Sequence, residues 1–315
     1  MTAHGELIAL LVDVASALAV SPMAKSSVRF DRVLCAVTFS PHARRVVAWA
    51  ASLAASNGGE VRLFHALPGP EPHGVDGSEP DSERVLKKLF GLTEQLPGRP
   101  RVSAAVTEGD AVDEILRHAR MIHADLIAVG MHAQDGDVSP LITRLAIDAP
   151  CPVLVVDETT PSALEVTGVN DIVVAVDFLP ASLAATEYAL GLAQVIEARV
   201  TAVHVLRQDV MASTPHKQGV EEMPWNVQQR LRQGLLEFAM NESSSSSLCS
   251  AVVISGRPYV EIVRVAATRD AGLIVMGIDD GPDSHEEFGE TASCVMQFAQ
   301  RTVLLVPERA RPGGA

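Results

Sequence analysis

The chain repeats one sequence pattern twice, and this repeat constrains its fold more than any other feature. The segment RVLCAVTFSPHA at 32–43 aligns with DIVVAVDFLPAS at 171–182, an offset of 139 residues. VRLFHAL at 61–67 and VTAVHVL at 200–206 keep the same offset. A repeat of this length predicts two copies of one domain rather than a solenoid of short units.

Three later pairs of segments continue the alignment at offsets of 147, 147 and 150: GDAVDEIL (109–116) with GRPYVEIV (256–263), ADLIAVG (124–130) with AGLIVMG (271–277), and PVLVVDE (152–158) with TVLLVPE (302–308). The offset grows between elements, where loops absorb insertions, as it does in duplicated domains. The segment EVTGVN at 165–170 is the predicted hinge between the copies.

Each copy predicts five strands that alternate with helices. The strand segments are continuous runs of Val, Ile, Leu and Ala, which is typical of a parallel sheet covered on both faces. Helices such as 41–56 and 180–196 show apolar residues at spacings of three and four. Alternating strands and helices favour an open, doubly wound sheet, in which ligands bind at the carboxyl ends of the strands.

Charge and segment hydropathy narrow the class of protein. The formal net charge is −14, with no compact basic stripe, so we expect no nucleic-acid partner. No apolar run reaches the length of a membrane span, so we also expect no membrane partner. The apolar stretch at 6–20 lacks a basic flank and is interrupted by Asp13, which favours a short helix or an extension over a signal sequence.

The cysteines favour a reducing compartment. The chain contains four, with no CxxC pair and no histidine at metal-ligand spacing: Cys35, Cys151, Cys249 and Cys294. Disulfide and zinc roles are therefore not expected, and the cytoplasm is the expected location.

Taken in order, several motifs resemble the universal stress protein family. They are AVDFLPAS, SGRPYVEI, LIVMG and VLLVPE in the second copy, and AVTFSP, EGDAVDEI, LIAVG and APCPVLVV in the first. The resemblance implies an α/β fold: two tandem Rossmann-like (adenine-nucleotide alpha hydrolase-like) domains, each a five-stranded parallel sheet flanked by helices. It also implies an intramolecular pseudo-dimer in which the last strands pair, and it leaves a further homodimer open.

The same resemblance sets the expected domain bounds. Residues 1–29 form an N-terminal extension, 30–157 a degenerate first domain, 169–308 a second domain and 309–315 a tail. Some members of the family bind ATP and others do not, so the site residues decide between the two.

In ATP-binding members an aspartate at the end of the first strand contacts adenine. Asp177 matches that aspartate, and Val205 matches the position whose backbone meets the base. Asp177 has an alternative role, in which it caps the next helix or organises the turn before Pro180. The first copy has Thr38 at this place and lacks the carboxylate.

In those members the phosphates lie in a loop of the form G-x2-G-x9-G followed by Ser or Thr. Gly277 matches the first glycine, Gly281 stands one residue late for the second, and Gly289 matches the third. Glu290 occupies the Ser/Thr position, so an acceptor replaces a donor where the terminal phosphate would lie. Thr291 follows and offers a hydroxyl from the next position.

This loop is rich in carboxylates: Asp279, Asp280, Asp283, Glu286, Glu287 and Glu290. Their charge disfavours a triphosphate unless a divalent cation bridges them, so ATP with Mg²⁺ stays a possible ligand of the second domain only. The candidate ligands for Ca²⁺ or Mg²⁺ in this loop are Asp279, Asp280, Asp283, His285 and Glu287. Their spacing matches no EF-hand pattern, and a solvated acidic loop is preferred to a metal site.

The first copy offers less for a nucleotide. Ser139 and Thr143 are the hydroxyls near its corresponding helix, and Ser139 is interpreted as an N-cap before Pro140. His65 and His204 recur at the end of the second strand in both copies. With no partner assignable from sequence, they are interpreted as packed histidines rather than catalytic residues.

The sequence therefore favours a non-enzymatic stress-response or regulatory protein of the universal stress type, with weak or lost ATP binding and with protein partners that the sequence does not identify. The alternative is an ATP-binding switch that uses the second domain. An adenylating enzyme is disfavoured because SGGxDS, HxGH and KMSKS signatures are absent from the chain. No catalytic residue and no resident cofactor is expected.

Overall fold

The computed structural model describes the following residues: 28–41, 43–68, 82–94, 96, 98–131, 138–157, 169–207, 233, 249–279 and 289–310. The apolar stretch at 6–20, Gly281, and the loop residues Asp280, Asp283, His285, Glu286 and Glu287 lie outside them.

The first half alternates strands and helices in the predicted order: β1 Arg32–Ala36, α1 Ala43–Ser56, β2 Glu60–Leu67, α2 Ser82–Gly91, β3 Arg101–Glu108, α3 Ala111–Ile122, β4 Leu126–Met131, α4 Pro140–Asp148 and β5 Val153–Asp157. The second half repeats the pattern where it is described: β6 Asp171–Ala175, α5 Pro180–Ile196, β7 Arg199–Arg207, β8 Cys249–Gly256, α6 Pro258–Thr268, β9 Leu273–Ile278, α7 Glu290–Phe298, β10 Thr302–Pro307 and a 3₁₀ turn Glu308–Ala310.

All ten strands form one sheet in the order β3-β2-β1-β4-β5-β10-β9-β6-β7-β8. Within each half the strands are parallel, and the halves meet where β5 pairs antiparallel with β10. In that pairing Leu154 lies opposite Leu304, and Val155 lies opposite Val303. The predicted α/β fold, with two five-stranded parallel sheets joined through their last strands, is confirmed.

The halves touch beyond this strand pairing. Val28, which precedes β1, is buried against α5 of the second half. A Cβ added to Gly191 in α5 would stand 2.5 Å from Val28 Cγ2, so the two residues are in close contact. The Arg309 guanidinium donates a hydrogen bond to the Ile147 carbonyl at the end of α4. The two copies thus share packing and polar contacts as well as a sheet.

Two apolar layers cover the sheet. One contains α1 and α5 with inward residues such as Trp49, and the other contains α3, α4, α6 and α7. The central strands are buried on both faces, as their unbroken apolar runs predict. Trp49 is fully buried, which confirms its interpretation as a packing residue, whereas Trp225 lies outside the described residues.

The described cysteine side chains lie apart from one another as free thiols. Cys35 and Cys151 are buried, and burial raises the pKa of both thiols well above the ordinary value, which keeps them protonated and unreactive. In the part of the chain that the structure describes, no helix combines the length and apolar character that crossing a membrane needs.

The protein is expected to become less stable in mild acid, because two histidines, His118 and His204, are buried. Burial lowers the pKa of His118 and of His204. Arg62 Nη1 lies 3.5 Å from His118 Nε2, so that nitrogen accepts, and the His204 Nδ1 donates to the Val176 carbonyl at 2.7 Å. Among the described residues, the remaining ring nitrogens, His118 Nδ1 and His204 Nε2, have no hydrogen-bond partner.

The unfolded chain binds these protons near the ordinary histidine pKa of about 6.5, and the folded chain binds them only at lower pH. The histidine contribution to the free energy of unfolding is therefore fully present above about pH 6.5. Below that pH the contribution decreases, by at most about 1.4 kcal/mol per pH unit for each histidine.

Urea unfolding from pH 7.5 to 5.5 measures the slope of the free energy of unfolding against pH. His118→Gln keeps an acceptor for Arg62, and His204→Asn keeps a donor for the Val176 carbonyl. Each variant should flatten the slope, and an unchanged slope in both would contradict this assignment.

Candidate functional site

A cavity of about 570 Å³ opens at the carboxyl ends of the strands in the second half. It lies where β6 and β9 end and where α5, α6 and α7 begin, which is the edge at which doubly wound sheets bind ligands. Five of the six residues singled out from the sequence line it: Asp177, Val205, Gly277, Gly289 and Thr291. Gly281 lies outside the described residues. A cavity of this size suits a small organic ligand.

Asp177 organises the turn between β6 and α5. The Leu179 backbone N–H donates to Asp177 Oδ1 at 3.0 Å, and the Ser182 hydroxyl lies 3.3 Å from the Asp177 backbone nitrogen. Leu179 is the N-cap residue of α5 and makes no side-chain cap bond. Of the two local roles considered from sequence, the structure shows the turn. The Asp177 carboxylate is exposed and keeps acceptor capacity for a ligand.

Phe178, the next residue, adopts a left-handed backbone conformation with φ of 65°. This is costly for a bulky side chain and persists only where packing enforces it. The Phe178 ring is buried against His204, with centroids 4.9 Å apart. In the first half, Phe39 contacts His65 with centroids 4.7 Å apart but is 41% exposed and has no positive φ. The strain therefore belongs to the half that has the large cavity.

The two repeated histidines anchor the ends of the first strands. His65 Nδ1 lies 2.7 Å from the Val37 carbonyl, as His204 Nδ1 does from Val176. Each ring thereby joins the second strand of its half to the residue that follows the first strand. This confirms their interpretation as packed, hydrogen-bonded histidines.

The two described glycines of the loop have different surroundings. A Cβ on Gly277 would stand 2.3 Å from the Ala181 carbonyl carbon and 2.6 Å from the Ser182 nitrogen, both backbone atoms of α5. A Cβ on Gly289, the N-cap residue of α7, would meet nothing within 4 Å. Gly277 is therefore required for the packing of β9 against α5, whereas Gly289 leaves the entrance of α7 open.

Charge around the cavity is predominantly negative. Its described lining contains four carboxylates and one cationic side chain: Asp177, Asp279, Glu290, Glu308 and Arg207. Glu290 is the first residue of α7 and is exposed, next to the half-buried Thr291. Among the described residues no side chain caps the start of α7, whose backbone N–H groups attract anions, and the Glu290 carboxylate stands at that same position.

The corresponding cavity in the first half measures only about 130 Å³. Larger side chains narrow it at three matching positions: Phe64 for Val203, Leu141 for Thr291 and Ile142 for Ala292. Phe64 is buried and packs on the His118 ring, with centroids 4.7 Å apart. Ser139 occupies the N-cap position of α4 before Pro140, as interpreted from sequence, but its side chain makes no cap hydrogen bond.

Among the lining residues that sequence reasoning missed are two charged side chains and one residue of the first half: Arg207, Glu308 and Ile147. Ile147 comes from the first half, and Glu308 follows the last strand. No motif marks them: Arg207 ends β7, Glu308 follows β10, and Ile147 reaches the cavity because β5 and β10 pair. The one available signal was the implied pairing of the last strands, which brings the end of α4 and the residues after β10 to the same edge.

A metal site has no support in the part of the chain that the structure describes. No group of three or more His, Cys, Asp or Glu side chains there is placed to hold an ion. Of the acidic loop residues considered as ligands, Asp279 is described and lies at the cavity.

Comparison with known proteins agrees with the repeat. The sequence pattern of the universal stress protein family matches residues 29–157 and again 168–307. A universal stress protein from Archaeoglobus fulgidus DSM 4304 has a similar structure, with a TM-score of 0.62 and 15% identity over 91% of this chain and 98% of that one.

Two Pseudomonas aeruginosa structures are equally similar. A putative universal stress protein from strain UCBPP-PA14 has a TM-score of 0.62 and 17% identity over 92% of this chain and 95% of that one. A functionally unknown protein from strain PAO1 has a TM-score of 0.62 and 16% identity over 93% and 94%. At these identities the likeness shows the fold. None of the curated proteins matches the chain.

Proposed function

The chain belongs to the universal stress protein family, with two domains in tandem, and from that premise we propose that it is a non-enzymatic regulatory protein whose ATP binding is weak or lost. It acts through its conformation and through protein partners in the cytoplasm. The observation that carries this proposal is the position of Glu290, a carboxylate at the start of α7 on the rim of the large cavity, where the family's motif has a hydroxyl.

Electrostatics support this conclusion. A carboxylate at about 4 Å from a phosphate charge costs on the order of 1 kcal/mol in bulk water and about 4 kcal/mol at an effective dielectric of 20. A neutral hydrogen bond contributes only about 0.5–1.5 kcal/mol. With Asp279 and Glu308 on the same cavity, repulsion outweighs the donors that α7 and Thr291 supply.

The experiment is a thermal melt with ATP and Mg²⁺. We expect about 1 mM nucleotide to leave the melting temperature unchanged within about one degree, because a ligand stabilises only when its concentration exceeds its dissociation constant. Glu290→Ser removes the charge and supplies the missing hydroxyl. It should bind ATP measurably more tightly than the parent. A rise of several degrees in the parent chain would contradict the proposal.

The alternative, an ATP-dependent switch of the second domain, is favoured by one observation. Asp177, Val205, Gly277, Gly289 and Thr291 all line a single cavity of suitable volume. This function requires saturable micromolar ATP binding that Asp177→Ala abolishes. Equilibrium titration of the parent chain and of that variant separates the two candidates.

A further inference from the structure

We propose that the large cavity of the second half binds a small organic cation with an apolar body, such as an arylalkyl amine. This inference rests on the proposed function in one respect, since the carboxylates that disfavour ATP also select the new ligand. It goes beyond the proposed function because it names the class of ligand that the cavity binds in place of ATP.

The interior of the cavity is apolar. Side chains from β7, β9 and α6 line it, with the first half contributing one residue: Val203, Val205, Met276, Ile278, Ile262 and Ile147. Val203, Met276, Ile278 and Ile262 are buried and belong to the hydrophobic layer beneath. A ligand bound between such walls gains from an apolar or aromatic body that displaces the water.

The rim sets the sign of the ligand's charge. Asp177, Asp279 and Glu290 are exposed there, and Glu308 is half-buried. Arg207 is the one cationic side chain in the described lining, so fixed carboxylates outnumber it.

The helix starts do not reverse this balance. The Asp177 side chain already accepts the Leu179 N–H ahead of α5, and Glu290 occupies the first position of α7. An ammonium group at the rim gains from these charges, whereas a carboxylate or phosphate in the same place is repelled.

The cavity lies at the junction between the two halves. Ile147 approaches from α4 of the first half, while the neighbouring Arg309 ties the turn that carries Glu308 to the Ile147 carbonyl. One wall and one carboxylate of the site are therefore fixed across the junction between the halves.

Three indole probes of different charge test the proposal: tryptamine as a cation, indole-3-propionate as an anion and 3-methylindole as the neutral reference for the indole ring. Isothermal titration or ligand-observed NMR with the full chain at pH 7 measures each. We expect tryptamine to bind at least about tenfold more tightly than indole-3-propionate, a ratio that corresponds to about 1.4 kcal/mol. Equal binding of the two, preference for the anion, or no binding of tryptamine would overturn the proposal.

Two variants locate the site. Glu290→Gln with Glu308→Gln removes two rim charges and should erase most of the preference for the cation, while 3-methylindole binds as before. Val203→Phe copies the residue that fills the first-half cavity and should abolish binding of all three probes. Tryptamine binding that survives Val203→Phe would place the ligand elsewhere and would defeat the assignment.

An ATP titration in the same assay separates this inference from the proposed function. If neither ATP nor tryptamine binds, the inference fails and the proposed function stands. If ATP binds tightly and tryptamine binds too, the proposed function fails instead. Tight ATP binding without tryptamine binding defeats both.

Discussion

Gly277→Ala is expected to lower the free energy of unfolding by about 3 kcal/mol or more. The added Cβ would stand 2.3 Å from the Ala181 carbonyl carbon and 2.4 Å from its oxygen, and these are backbone atoms at the start of α5. Backbone within a helix cannot turn aside as a flexible side chain does, so β9 and α5 must separate. Adding a methyl group to a tightly packed core typically costs about 1–3 kcal/mol. The cost here is expected at the upper end of that range or above it, because the atoms that the Cβ would meet belong to the backbone.

Gly289→Ala is the matched control for that substitution. It places the same methyl group in the same loop, at a position where nothing lies within 4 Å. At an N-cap, alanine is less favourable than glycine by up to about 1 kcal/mol, so the control should lose far less stability. Chemical unfolding of both variants measures the difference. Equal losses would show that Gly277 is not held by packing against α5.

Leu304→Ala should lower the free energy of unfolding by about 3–5 kcal/mol. Leu304 in β10 and Leu154 in β5 lie opposite each other in the antiparallel pairing between the halves, and both are essentially fully buried. Truncating a buried leucine loses its transfer free energy and leaves a cavity. Because the two residues share contacts, the double variant with Leu154→Ala should cost less than the sum of the single variants, by about 1 kcal/mol.

Leu63→Ala is the control for this coupling. Leu63 is equally buried but lies in β2, four strands away from β10 in the sheet order, which is about 19 Å at the usual spacing. Its effect should add to that of Leu304→Ala. Each unfolding curve should keep a single transition, since the halves share one sheet. A separate early transition for the second half would contradict the role assigned to the junction.

Much of the fold could be predicted from the sequence, because the signals are local. Unbroken apolar strands, helical spacing and the repeat itself fixed the order of elements in each half. The pairing of β5 with β10 came from the family resemblance rather than from any residue pattern. The predicted parallel sheet also places Asp177, Gly277 and Thr291 near one edge of the second half, because the carboxyl ends of parallel strands meet at that edge.

The remaining features of the site depend on tertiary packing, which no local pattern reveals. The left-handed backbone of Phe178 exists because its ring is held against His204. The size of each cavity depends on whether Phe64 or Val203 stands beneath it, and both residues are ordinary strand formers. Ile147 joins the site only because β5 and β10 pair, which brings the end of α4 next to the second half.

The fusion of both copies into a single polypeptide also has an evolutionary consequence. In a symmetric homodimer, every substitution appears twice, so a change that closes one pocket closes the other. Here Phe64 fills one pocket while its counterpart Val203 leaves the other open, and the common sheet holds both halves in place. Within one chain, a substitution in one copy leaves the other copy unchanged, so the two pockets can diverge independently, as Phe64 and Val203 have done.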